Sequence, residues 1–319
     1  MTTIKAEIIA DSIGEHAPRF TSILAEYPRW IHAEGRTHRV LCVGEDEIIN
    51  AAGEEGLPAY YEDVRTPSPM EDANLSRNAA SSRAIPVERM IKAVLADPAA
   101  PLYWGANQSG MQASRELEGV ALEQAKAEWF RALGDAVMHA GNLVKIGAHK
   151  QIVNRVLEPY SHIKVIYSGT EWSNFFALRL HQDAEPHIRM LAQAMKAAMD
   201  ASTPKLLQPG EWHLPLTDYD PKFAHKRLTQ LDFIKLSVAR CASVSYKTVE
   251  GFDMTLERAV ALHDKLVAGS PMHASPAEHQ ATPQGARLSR GKVKFEGDEG
   301  GNLGAGWRQY RKTLVGERI

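Results

Sequence analysis

The chain has 319 residues and a mass of 35.2 kDa, enough for a sizeable core in one large domain or two small ones. Its 44% hydrophobic and 24% charged residues fit a soluble globular protein, and a net charge of −2 gives no bulk electrostatic case for nucleic acid or a membrane. Two cysteines, Cys42 and Cys241, exclude a disulfide framework or a Cys-rich zinc site, and the thirteen histidines are scattered without H-E-x-x-H spacing, so no metal is expected. With no signal sequence and no long apolar run, a cytosolic location is expected.

Residues 3–10 alternate partly between apolar and polar and predict an opening strand. Tyr27 to Leu41 mixes aromatic and β-branched residues with charges and fits either strand or helix. Residues 42–75 differ in kind: Glu45, Asp46, Glu47, Glu54, Glu55, Glu62, Asp63, Glu71 and Asp72 stand against Arg65 as the only base, a composition that suits a solvated acidic loop. Helices are predicted over 86–96 and 113–157. In the second, Leu117, Val120, Ala121, Gln124, Ala127, Phe130 and Leu133 recur near a period of 3.6, and Gly141 and Gly147 are candidate breaks. Residues 163–168 read as a short strand, and Glu171 to Met199 as a helix interrupted at Pro186. A Pro-punctuated loop, Pro204 to Pro221, precedes strand-like stretches from Phe233 to Tyr246. Thr255 to Val267 is a helix with Thr255 as N-cap and Gly269 near its end. From His273 onward the chain is rich in Gly and Pro. The mixture predicts an α+β fold.

Four polar constellations carry chemistry. Arg39, Ser76, Asn78, Ser81 and Arg83 lie in stretches with few apolar anchors. A guanidinium fork with hydroxyl and backbone donors suits a phosphomonoester, although Ser and Arg also build ordinary capped turns. In Glu171 to Asp183, a helix puts Asn174 on a face with Leu178, and Arg179 with Asp183, the latter also a plain surface pair. Gln151 and Arg155 are one turn apart, beside Asn154, at a basic helix end. Ser275 before Pro276 is placed to cap a helix with Glu278 at the capping-box position, and such an N-terminus also holds anions. No G-x-G-x-x-G follows a strand and no G-x-x-x-x-G-K-[ST] occurs, so a dinucleotide would need another kind of cradle.

Joined across residues 42–75, Thr37-His38-Arg39-Val40-Leu41 and Ser76-Arg77-Asn78-Ala79-Ala80-Ser81-Ser82-Arg83 spell T-H-R-V-L-S-R-N-A-A-S-S-R. That string resembles the R-H-R-x-x-S-x-N-x-x-S-x-R signature of flavin-dependent thymidylate synthases. Four further segments are similar to the family's: Arg155-Val156-Leu157-Glu158-Pro159 to R-x-x-L-P, Asn174-Phe175-Phe176-Ala177-Leu178-Arg179 to N-F-x-x-L-R, Ala239 to Tyr246 to A-A-R-V-S-Y, and His273 to His279 to H-x-[ST]-P-F-E-H. The last two follow the signature here, whereas most members carry them before it. The chain thus resembles a circularly permuted, phage-type branch, which would place it in a host cytosol.

The resemblance implies a single domain over residues 1–319, with a mixed sheet and long helices and an acidic insertion at 42–75. It implies methylation of deoxyuridine monophosphate (dUMP) to dTMP, with methylenetetrahydrofolate as carbon donor and NADPH-reduced FAD as hydride source. It also implies a homotetramer with sites between subunits, and no protein nucleophile. Carried over position by position, Arg179 is the catalytic residue that stabilises the ionised uracil. Glu34, Ser76, Asn78, Ser81, Ser82, Arg83 and Arg155 bind the nucleotide, and His38, Arg39, Asn174, Glu171 and Ser275 contact FAD. Thr37 replaces the first Arg of the signature, Ala79 stands where Glu is common, and Glu34 where Gln is usual. The alternatives are a uracil-hydroxymethylating relative and a non-catalytic nucleotide-binding relative inactivated by the insertion.

Overall fold

The computed structural model describes residues 2–35, 75–79, 81–110, 113–217, 228–244, 254–269, 272–289, 292–295 and 299–317. Its central strands are β1 (Lys5–Gly14), β2 (Phe20–Pro28), β3 (Leu75–Ala79), β4 (His162–Gly169) and β5 (Lys205–Leu207). They form one sheet in the order β3-β4-β2-β1-β5. Only β1 and β5 run parallel, so the sheet is mixed. β2 and β4 are buried along nearly their whole length because helices cover both faces. β2 ends at Pro28, which lacks the N–H that a ladder needs. Of the uncertain stretch from Tyr27 to Leu41, the described part is therefore the end of β2, a 3-10 turn at Arg29–Ile31 and the short helix α1 (His32–Gly35).

The helices that follow are α2 (Val87–Ala96), α3 (Gly119–Ile146), α4 (Lys150–Leu157), α5 (Ser173–Arg179), α6 (Pro186–Asp200), α7 (Gln230–Ala242) and α8 (Leu256–Val267). With this mixed sheet and a 28-residue helix about 42 Å long, the fold is α+β with long helices, as expected. One face of the sheet sets Ile23, Ala25, Tyr27, Ile163, Val165 and Tyr167 against Ile188, Leu191 and Met195 of α6. The other sets Ile9, Leu24 and Ile166 against Cys241 of α7 and Val244. A separate core joins α2, α3 and α4 through Met90, Val94, Leu133, Ala136, Ala140, Val153 and Leu157.

Several sequence expectations are corrected. Helix α3 starts at Gly119, not 113, and runs straight through Gly141. It ends at Gly147, whose φ of 90° is left-handed and whose N–H caps Leu143 and Val144. The periodic stripe is not its packed face: Leu133 is buried, but Val120 (74%) and Phe130 (46%) are exposed. Pro186 begins a helix rather than interrupting one, with Glu185 capping the N–H groups of His187 and Ile188. Because α5 stops at Arg179, Arg179 and Asp183 do not share a helix. The strand-like stretch from Phe233 is helix α7, opened by a capping box between Thr229 and Asp232. Ile234, Leu236, Ser237, Val238, Ala239 and Cys241 are all buried, so no one-sided stripe marks this helix.

The Gly- and Pro-rich C-terminal part adds β6 (Ala281–Pro283), β7 (Ala286–Ser289), β8 (Lys292–Phe295) and β9 (Trp307–Gln309). Trp307 is fully buried against Phe20 and donates from its indole nitrogen to the Pro18 carbonyl (2.9 Å), so this end completes the core.

Candidate active site

The second half of the polar signature lies on the sheet edge. β3 pairs antiparallel with β4, placing Ser76 opposite Ser168 and Asn78 opposite Ile166. The chain then passes Ser81 into a 3-10 turn at Ser82–Ala84. Helix α4 shapes that turn. The fully buried Asn154 donates from Nδ2 to the carbonyls of Ser82 (2.7 Å) and Ile85 (2.8 Å), and the Ser82 hydroxyl donates to Glu158. Ser82 is buried in this way, and its hydroxyl supports the turn through Glu158. Ser81 and Arg83 remain at the surface, with Arg83 Nε 3.4 Å from the Ser81 hydroxyl.

Charge gathers around this turn. Arg155 projects from α4 and approaches Glu158 at 3.5 Å, while Gln151, one turn before it, is exposed. Arg29, which no sequence pattern singled out, donates from Nε to the Ser161 hydroxyl (3.3 Å). Burial lowers the pKa of Arg29, Glu158 opposes that shift, and Arg155 adds to it. Arg29 and Arg155 thus act on one another beside the Glu158 carboxylate, and Ser81 and Arg83 stand on the turn that α4 supports. That combination suits a phosphate dianion.

The remaining expected residues lie elsewhere. Asn174 and Arg179 are on α5, Arg179 as its last residue and half-buried. Glu171 accepts hydrogen bonds from the hydroxyl and N–H of Ser173, the latter at 2.8 Å, and these bonds lower its pKa. Arg155 precedes β4 and Arg179 follows it. Eight residues of extended chain separate the segments that carry them, so the two ends of the strand lie about 23 Å apart. One chain therefore groups Ser81, Arg83 and Arg155 but attaches Arg179 beyond the far end of β4. Ser76 and Asn78 are placed by backbone register alone, and Glu34 lies in α1. His38 and Arg39 lie outside the described residues, as does the insertion up to Asn74.

The Ser275 segment is a 3-10 turn, Ser275–Glu278, rather than a capped helix. Glu278 is drawn to Arg311, which also pairs with the buried Glu317 carboxylate at 2.9 Å, so the expected capping box does not form. The turn packs against both β3 and α7. Ser275 is exposed on it, and behind it His279 is fully buried with Nε2 unpartnered. Of the residues expected to contact FAD, Ser275 and Glu171 are exposed and Asn174 is half-buried. Nε2 of His279, the residue that follows this turn, is a buried polar atom without a hydrogen-bond partner among the described residues. Cys241 is buried in α7, and burial pushes its thiol up to about 12, out of range for a nucleophile at neutral pH. Among the described residues, no group of three or more His, Cys, Asp or Glu side chains is placed to hold a metal ion. No described helix is long and apolar enough to cross a membrane.

No protein-family model matches the chain, and no curated protein matches it. Among solved structures, it is similar to a UMP/dUMP methylase, PolB from Streptomyces cacaoi, bound with 5-Br UMP. The identity is 14%, the match covers 62% of this chain and 89% of that one, and the TM-score is 0.41. The same methylase bound with 5-Br dUMP aligns at 11% identity over 62% and 90% of the two chains, with a TM-score of 0.39. Likenesses this remote carry no inference about substrate.

Proposed function

We propose that this chain is a flavin-dependent thymidylate synthase that converts dUMP to dTMP, with methylenetetrahydrofolate as carbon donor and NADPH-reduced FAD as hydride source. One observation carries the reading: two of the segments that resemble the family's motifs, far apart in sequence, flank the edge strand that carries part of a third. The R-V-L-E-P helix supports the turn at the end of β3, and the S-P-A-E-H turn and α7 pack together where β3 begins.

In this reading Arg83 and Arg155 neutralise the dUMP phosphate, the Ser81 hydroxyl donates to it, and the buried charge of Arg29 strengthens the local field. Arg179 stays protonated and stabilises the ionised uracil. Ser275, Asn174 and Glu171, with His38 and Arg39, hold FAD, which supplies hydride chemistry when bound. The absence of an activated thiol at Cys241 agrees with a route that needs no protein nucleophile. The attachment of Arg155 and Arg179 beyond opposite ends of β4 favours a site completed by a second copy, hence an oligomer, of which a tetramer is the expected form.

The visible absorption spectrum of the purified chain, taken before and after addition of FAD, NADPH and dUMP, tests the proposal. Flavin uptake, bleaching by NADPH and a response to dUMP are expected. A protein that takes up no flavin overturns it. The interruption between Arg39 and Ser76 favours a second reading, a nucleotide-binding relative without turnover. If deleting 42–75 creates activity that the full chain lacks, this second reading holds for the full chain.

A further inference from the structure

Five buried polar side chains form a continuous file through the sheet. The Ser12 hydroxyl on β1 meets Nδ1 of His213 at 2.9 Å, and Nε2 of His213 meets the Ser22 hydroxyl on β2 at 2.8 Å. Ser22 meets Ser168 on β4 at 2.5 Å, and Ser168 meets Nδ1 of His279 at 2.8 Å. None of the five is more than 5% exposed. Burial holds both imidazoles far below their ordinary range, at about 3, so both are neutral at pH 7.

A neutral imidazole has one N–H and one bare nitrogen, and each hydroxyl has one proton. The file therefore has two complete arrangements. In one, protons point from His279 toward Ser12, and both rings are Nδ1–H. In the other, Ser12 donates to His213, every bond is reversed, and both rings are Nε2–H. The first arrangement leaves two groups without a partner, the Ser12 proton and the bare Nε2 of His279. The second leaves only the Nε2–H of His279. An unmade bond in a buried site is costly, so the second arrangement is the more stable.

We propose that Ser12, His213, Ser22, Ser168 and His279 act as one directional hydrogen-bond chain that gives both rings the Nε2–H tautomer. Nε2 of His279 is thereby a buried donor beside the Ser275 turn. The chemistry this position accepts is a hydrogen-bond acceptor, such as a carbonyl oxygen or a bare ring nitrogen, and a donor is refused. Ser12, His213, Ser22 and Ser168 are positioning residues that act through the His279 ring. The tautomer belongs to the free protein and is readable whether or not the thymidylate reading holds.

The test is a long-range proton–nitrogen correlation spectrum of the full chain, labelled with nitrogen-15 in histidine, which separates protonated from bare ring nitrogens. The expected result is two rings that do not titrate down to pH 5 and are both protonated at Nε2. Opposite tautomers, or two Nδ1–H rings, overturn the proposal. In Ser12→Ala both arrangements leave two unmade bonds, so the His279 nitrogens shift toward a mixture of tautomers, while His187 and His263 stay as they were. A His279 signal unmoved in folded Ser12→Ala overturns the chain's directional coupling. The wild-type spectrum decides the shared tautomer even where the variant does not fold.

Discussion

The two faces of the central sheet are built on different chemistry. Facing α6, β2 and β4 present Ile23, Ala25, Tyr27, Ile163, Val165 and Tyr167. Facing α7 and the Ser275 turn, the same strands present Leu24 and Ile166 together with Ser22 and Ser168, each bound to a neutral imidazole. Apolar packing on the first face tolerates any shape that fills the space. The second face works only if each hydroxyl finds its partner, so it fixes positions more sharply.

The difference is largest in acid. His213 and His279 stay neutral in the folded chain but take up protons near pH 6.5 once unfolded, so the unfolded state binds more protons below that pH. Folding stability is then full above pH 6.5 and falls as pH drops toward their folded values of about 3. Each ring contributes about 1.4 kcal/mol per pH unit, roughly 5 kcal/mol for both between pH 6.5 and 4.5. Urea unfolding across that range reads the slope, and His279→Gln should remove about half of it. An unchanged slope would mean the polar face is wetter than its geometry indicates.

On the apolar face, Leu191→Ala is expected to cost about 2–5 kcal/mol at any pH, seen as a lower urea midpoint with no change in acid slope. Ser22→Ala, on the polar face, removes a group bound to both His213 and Ser168 and should cost about 1–3 kcal/mol. If Ser22→Ala proves neutral, the contrast between the faces is one of composition only. Arg155→Ala lies off both faces with its side chain 61% exposed. It should leave stability within about 0.5 kcal/mol of wild type and weaken dUMP binding roughly tenfold by calorimetry, with the loss shrinking at high salt.

The apolar face was legible in the sequence and the polar one was not. Strands near 3–10 and 163–168, and helices near 86–96 and 255–267, carry the alternation or one-sided stripe that burial against a single layer imposes. Helix α7 hid because its buried residues surround it, and the packed side of α3 hid because Val120, Phe130, Met138 and Val144 make its outer side as apolar as its inner one. Of the residues the motif resemblance singles out, Ser81 and Arg83 stand on the turn at 81–84, and Arg155 on the helix α4 that packs against it. Arg29, and the clamping role of Asn154, carry no pattern, since a cation or amide matters there only once the turn at 82–85 is folded against α4. The file from Ser12 to His279 spans most of the chain, so no local window contains it.

The place where β3 begins bears on what an insertion at 42–75 would demand of the fold. Leu75 opens the strand, and removal of 42–75 would join Leu41 to Ser76, so a leucine precedes Ser76 with or without the insertion. The strand keeps its first residue, and only the span from Gly35 to the strand changes length. By loop-closure entropy, lengthening a connection from about five to about forty residues costs only about 2 kcal/mol. At this junction added sequence would lengthen a connection at modest cost in chain entropy and leave a leucine at the first position of β3.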